Sequence, residues 1–274
     1  MTRPNVDILL PYWGKFTLFK ETVDSVLNQS HTEWRLLIFD DHYPSDEAKQ
    51  YCSSLDDKRI IYYRHSKNIG ITNNFNFALQ KASADYCIML GCDDRLLPNY
   101  LEVALKNIGN ADFYQPMVEV IDEKGQIYLP LGDRIKRLLQ PRKAGFYTGE
   151  KLATSLCHGN WLYFPSIFWK TSSIKRYGFN AKYKIVEDVV LELNLIKDGA
   201  SLYFDKNNTT FQYRRFENSL SSVERSKEGV RFQEEDEAYA TFVPIFKMRG
   251  WNTAARAASL HLTSRIHKLL AKIH

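Results

Sequence analysis

The sequence predicts an α/β fold, a mostly parallel sheet flanked by helices, with a helical extension at its end. Two observations carry this. Short apolar runs alternate with segments of helical spacing through the first 110 residues, which is the signature of βαβ units. The runs are apolar throughout, as strands covered on both faces require. The 274-residue length suits one large domain with an appendage. A hydrophobic share of 44% with 16 Tyr, 16 Phe and 5 Trp excludes disordered, collagen-like and coiled-coil chains. The net charge of +5 weakly favours anionic partners. It is too small for a dedicated nucleic-acid module, so no nucleic acid is expected.

Residues 6–10 form an apolar run that stops at Pro11 and read as a buried strand. In residues 16–29, Phe19, Val23, Val26 and Leu27 recur at helical spacing. Residues 34–39 read as a second strand, ending at Asp40-Asp41. Ser45 is placed to cap a helix through residue 53. Residues 59–64 form a third strand, and Thr72 or Asn73 opens a helix through Lys81. Residues 86–90 form a fourth strand, ending at Gly91-Cys92-Asp93-Asp94, and Pro98 opens a helix to about Ile108. The pattern then changes. Residues 113–121 and 126–129 read as an antiparallel pair, and the basic stretch 132–143 as a solvated loop or short helix. Residues 186–197 have helical spacing, 201–204 and 210–213 are short strands, and the chain reads as helical from about Val223.

In open α/β sheets ligands bind beyond the carboxyl ends of the strands. Pro11-Tyr12, Asp40-Asp41 and Asp93-Asp94 all lie there. Adjacent carboxylates raise each other's pKa, a cost that a divalent cation removes. Either pair could instead be a turn with a helix cap. Glu187-Asp188 lies near a helix start, where the dipole favours carboxylates and where one could act as a general base. Arg214-Arg215 could pair with phosphate oxygens or form a surface salt bridge.

Taken in order, these stretches resemble the family 2 glycosyltransferases with the GT-A fold, over roughly residues 5–222. The matching motifs are Leu10-Pro11-Tyr12, Ser25 to Thr32 with Gln29, Asp40-Asp41, and Asn68-x-Gly70 through Asn76. Gly91-Cys92-Asp93-Asp94, Gly159-Asn160 with Pro165-Ser166, and Glu187-Asp188-x-x-Leu191 continue the series. Tyr213-Arg214-Arg215 with Ser219-Leu220-Ser221 closes it. The resemblance implies an inverting transfer from a nucleoside-diphosphate sugar to a hydroxyl acceptor, a glycan or lipid-linked glycan of surface polysaccharide assembly. It implies that Pro11, Tyr12 and Asp41, with Asp40 nearby, hold the nucleotide base, and that Asn68, Gly70 and Asn76 line its pocket. Asp93 would sit by the ribose or the metal, and Asp94 would ligate Mn²⁺ or Mg²⁺. Asp188 would be the general base supported by Glu187, with Arg214 or Arg215 on the diphosphate or acceptor. It divides the chain into a catalytic domain, 1–222, and an extension, 223–274. Within the domain, residues to about 110 would bind nucleotide and 111–222 would bind acceptor.

The chain departs from the family pattern in three ways. Gly91 stands where longer metal motifs carry Asp, the helix after Asp188 lacks an Arg often found there, and Phe216 replaces the Trp of processive members. A non-catalytic sugar- or partner-binding module therefore remains an alternative, as does a nucleotidyltransferase. Cys52, Cys87, Cys92 and Cys157 have no metal or disulfide spacing, and the start has no signal-peptide layout. A cytoplasmic protein is expected. Ala255, Ala258, Leu262, Ile266, Leu269 and Ile273 form an apolar stripe with basic flanks. The helix over 251–274 is thus expected either to pack on protein, in this molecule or a second subunit, or to lie on the inner face of the membrane.

Overall fold

The computed structural model describes residues 5–215 and 228–261, with side chains from 232 in the last stretch. β1 (Val6–Tyr12) and β2 (Trp34–Asp40) run parallel along their whole lengths, with Val6 opposite Trp34 and Tyr12 opposite Asp40. β3 (Ile60–Arg64) continues the sheet beyond β2, and β4 (Tyr86–Met89) lies on the other flank of β1. The helices between them are α1 (Phe16–Leu27), α2 (Glu47–Ser54) and α3 (Ile71–Lys81). Successive side chains of a strand point to opposite faces. Leu9, Leu37 and Phe39 therefore enter one core, and Ile8, Leu10, Leu36 and Ile38 enter the other. The uninterrupted apolar runs have this cause.

The chain then forms β5 (Arg95–Leu96), α4 (Tyr100–Asn107), β6 (Phe113–Ile121), α5 (Leu131–Leu139), β7 (Gly145–Thr148) and α6 (Gly149–His158). A 3-10 turn at Phe164–Ser166 leads to β8 (Phe168–Lys170), α7 (Thr171–Ile174), α8 (Glu187–Lys197) and β9 (Ser201–Arg214). α9 (Glu228–Met248) and α10 (Asn252–Leu260) complete the described chain. The sheet order is β3-β2-β1-β4-β8-β6-β9-β5, and β7 also pairs with β9.

Two expectations change. The hairpin over 113–129 is only an antiparallel bridge between Ile121 and Ile127, while β6 pairs in parallel with β9 from Phe113 to Ile121. The two short strands after 200 are a single strand. Its register on β6 jumps from Asp205 to Thr209, and Asp205 turns back to accept the Asn207 N–H, so a polar bulge interrupts the apolar pattern. The basic stretch is the helix α5. β5, β7 and α6 come without a sequence signal in the reading above.

α9 and α10 pack on α6. Tyr239, Phe242, Phe246, Ala254 and Ala258 share a core with Leu152 and Leu156. Ala255 and Ala258 of the predicted stripe are thus taken by the molecule's own core. Leu262, Ile266, Leu269 and Ile273 lie outside the described residues, as do Phe216, Ser219-Leu220-Ser221 and the boundary at 222. No helix among the described residues is long and apolar enough to cross a membrane.

Candidate active site

β1 lies between β2 and β4, so their carboxyl ends open side by side. β4 runs into Gly91-Cys92-Asp93-Asp94, and this turn is held from three sides. The Thr22 hydroxyl donates to the Asp94 carbonyl at 2.7 Å. The Arg214 backbone N–H donates to Asp94 Oδ1 at 2.8 Å. The Arg214 guanidinium donates to the carbonyls of Asp93, Asp122 and Glu123 at 2.7, 3.1 and 2.8 Å, and to the Glu21 carboxylate. Asp94 is buried and Asp93 half-buried. Burial, opposed by Arg214, lifts Asp93 to about 6. Burial and then the neighbouring Asp93 push Asp94 well above the carboxylate range.

Gly91 has a steric reason. A Cβ there would lie 2.5 Å from Asp94 Oδ2 and 3.3 Å from Asp93 Oδ1. The residue that replaces Asp in longer motifs is therefore the one that leaves room for Asp94 in this position. No cluster of three or more His, Cys, Asp or Glu suited to a metal occurs among the described residues. Mg²⁺ and Mn²⁺ need only one or two carboxylates when substrate phosphates and water complete the shell. The all-oxygen pair, crowded and raised in pKa, fits such an ion.

At the end of β2 the two aspartates separate. Asp41 accepts the N–H groups of Ile69 and Gly70 at 2.7 and 2.9 Å, and Asn68 Oδ1 also accepts from Gly70 N. Gly70 has φ of 83°, a conformation that favours glycine. Asp41, Asn68 and Gly70 thus shape the loop that enters α3, next to the strand ends. Asp40 is fully buried. It accepts from Tyr43 N at 2.7 Å and from the Tyr62 hydroxyl at 2.8 Å, and it pairs with Arg64.

Several expected contacts take other partners. Tyr12 is 0% exposed, with its ring on Phe19 and Tyr43, so it supports the floor and does not face a base. Pro11 before it is half-buried. Trp13 is 40% exposed and meets Tyr43 edge-on, so it is the aromatic at the rim. Asp40 ties β2 to β3. Asn76 clamps both the N–H and the C=O of Phe179. Arg214 is 2% exposed, and its guanidinium donates to the Asp93-Asp94 turn.

The Glu187-Asp188 pair opens α8. Glu187 is buried and accepts the Thr72 hydroxyl at 2.7 Å, which joins α8 to the start of α3. Asp188 is half-buried, and one oxygen accepts the Val189 N–H at 2.7 Å. Across from it, Arg215 forms a two-point pair with buried Asp133 at 2.6 and 3.0 Å. Lys136 donates to the Leu162 carbonyl at 2.6 Å and lies 4.5 Å from the centre of the Tyr163 ring. Burial and then Arg215 lower Lys136 to about 8, while Asp188, Asp133 and Glu192 act in the opposite direction. Fully buried Glu192 is held well above the carboxylate range by burial and then by Asp188.

The carboxylate turn is thus connected to the surroundings of Asp188 through Arg214-Arg215-Asp133-Lys136, and the end of β2 is connected to them through Asp41, the 69–72 loop and Glu187. Sequence reasoning did not single out Trp13, Glu21, Thr72, Asp133 or Lys136 as site residues. Asp133 carried a usable signal, as the lone acid of the basic stretch.

A mostly parallel sheet flanked by helices, with carboxylates gathered at its carboxyl edge, defines an open-sheet α/β protein. The chain belongs to glycosyl transferase family 2, whose family model matches residues 7–172. The putative colanic acid biosynthesis glycosyl transferase WcaA of Escherichia coli (strain K12) is 33% identical over 103 residues, 37% of this chain and 37% of that protein. Among solved structures, S. aureus TarS 1–349 in complex with UDP-GlcNAc has a TM-score of 0.68 at 14% identity, covering 87% of this chain and 66% of that one. The mannosyltransferase PcManGT from Pyrobaculum calidifontis, in complex with GDP-Man and Mn²⁺, has a TM-score of 0.64 at 13% identity, covering 98% and 79%. These structures share the GT-A fold with this chain. The chain spans 18% and 37% of the length of the first two curated relatives it matches.

Proposed function

We propose that this chain transfers a sugar, with inversion, from a nucleoside-diphosphate sugar to a hydroxyl acceptor, a glycan or lipid-linked glycan of polysaccharide assembly. The observation that carries this reading is the Asp93-Asp94 turn. Arg214 fixes it at the strand edge, and the next residue, Arg215, reaches the cluster around Asp188. The nucleotide would lie over the ends of β1 and β2, bordered by Pro11, the Asp41-held loop at Asn68 and Gly70, and Trp13. Asp94 and Asp93 would hold Mn²⁺ or Mg²⁺. When bound, that ion would neutralise charge on the departing diphosphate. Asp188 takes the proton of the acceptor hydroxyl, whose oxygen attacks the anomeric carbon opposite the leaving group. Glu187, tied to Thr72, keeps the first turn of α8 in place. Arg215 and Lys136 bring positive charge to the acceptor side.

The test is a donor panel that includes UDP-GlcNAc and GDP-mannose, with and without Mn²⁺, read by mass spectrometry. Release of a nucleoside diphosphate is expected from at least one donor. Asp188→Asn should lower turnover by about 10²–10⁴-fold with donor affinity nearly unchanged. Silence with every donor would support the non-catalytic module. Pyrophosphate release from a nucleoside triphosphate and a sugar phosphate would support the nucleotidyltransferase.

A further inference from the structure

Helix α5 is amphipathic in the reverse sense. Its polar side faces the protein: Asp133 is 1% exposed and holds Arg215 and the Tyr163 hydroxyl, while Lys136 reaches the Leu162 carbonyl. Its apolar side faces outward. Leu131 is 67% exposed and Leu138 is 84% exposed. Seven residues apart, they lie on one line of the helix. Ile127, just before the helix, is 65% exposed. A soluble helix ordinarily turns its apolar stripe to the core.

The exposed charges on the helix and just after it have one sign. Arg134, Arg137, Arg142 and Lys143 are exposed, and the one acid between residues 126 and 149, Asp133, is buried. Exposed leucines rimmed by cations match an anionic bilayer surface, where apolar side chains enter the headgroup boundary and Arg and Lys meet lipid phosphates. An acidic protein groove would need matching apolar depth, whereas a lipid surface accepts the separated Ile127, Leu131 and Leu138 without it.

We propose that α5, with Ile127 just before it, docks this protein on an anionic lipid surface. The inner side of the same helix carries Asp133 and Lys136. Docking therefore brings the lipid surface to the acceptor side of the site. That last consequence rests on the proposed function; the docking itself does not.

The experiment is co-flotation of the full chain with phosphatidylcholine vesicles and with phosphatidylcholine–phosphatidylglycerol vesicles, without any donor. Binding is expected only to the anionic vesicles, and it should weaken as salt rises. Leu131→Glu with Leu138→Glu should abolish it. Arg142→Gln with Lys143→Gln, a milder change on an exposed loop, should weaken it by about tenfold or more. Thermal melts of each variant matching wild type show that the fold is intact. The proposal is overturned by equal binding to neutral vesicles, by no binding to anionic ones, or by full binding of both variants. A wild-type dimer that the Leu131/Leu138 variant converts to monomer, with no vesicle binding, would overturn it in favour of a second copy of the chain. Because the readout uses no sugar donor, failure of the glycosyltransferase reading leaves this result interpretable.

Discussion

Gly91 shows how much chemistry one missing methyl can carry. An added Cβ would lie 2.5 Å from Asp94 Oδ2. Asp94 cannot yield freely, since its other oxygen is held by the Arg214 N–H. Gly91→Ala must therefore move the carboxylate or break that bond. We expect a loss of about 1–3 kcal/mol in stability, typical of overpacking. Mn²⁺-dependent nucleotide binding should weaken at least tenfold, a difference of about 1.4 kcal/mol. Calorimetric titration with and without Mn²⁺ checks this, and unchanged Mn²⁺-dependent affinity would remove the Asp93-Asp94 turn from the metal site. The same scale separates motif residues by function. Ser25 Oγ accepts the Leu96 N–H, and Gln29 bonds both the Leu97 carbonyl and the Leu101 N–H. These residues lock α1 to the chain just beyond the carboxylate turn and are positioned to frame it.

At the scale of elements, α3 acts as a strut between the end of β2 and the start of α8. Its entry loop hangs on Asp41 and its first turn on Glu187. Thr72→Val keeps the shape and removes the donor, leaving Glu187 a partner short in a buried place. A loss of about 1–3 kcal/mol in urea unfolding is expected. Transfer should slow more than donor binding weakens, because the disturbance lies beside Asp188. Thr72→Ser should restore both. Equal loss of donor affinity would place the strut's effect on the nucleotide side instead. The first four strands and their helices were legible because strands buried on both faces leave continuous apolar runs. β9 was not legible as one strand, because its bulge at Asp205 inserts polar residues into the run. β5 and β7 are short and owe their existence to the edge of β9, a long-range pairing that local pattern does not encode. In the site, Asp93, Asp94 and Asp188 could be proposed from residue type and position. The inward turn of Arg214, Asp40 and Asn76 could not, because which polar group finds a buried partner depends on chain segments far away in sequence.

For the whole molecule, Lys136 joins stability to the proposed function. It is half-buried beside Arg215, and burial is the larger cause of its fall from the usual 10.5 to about 8. Below about pH 8 the ammonium is charged in the folded and unfolded chains alike, so the folded state carries the full cost of desolvating it. Between about 8 and 10.5 the unfolded chain holds more protons, so stability from this group rises with pH. Lys136→Met removes the cost while keeping the length of the side chain. Relative to wild type, the variant should be most favoured at neutral pH, and the difference should shrink as pH climbs through that window. Urea midpoints of both proteins across the window test this, since tyrosines and cysteines titrate in both and cancel in the comparison. A flat difference would show that the lysine is not desolvated in solution. The same substitution should slow transfer at neutral pH, because it removes a cation that faces Asp188 and Glu192. A variant that is steadier yet slower would mean that the fold tolerates an unfavourable charge for the sake of its acceptor side.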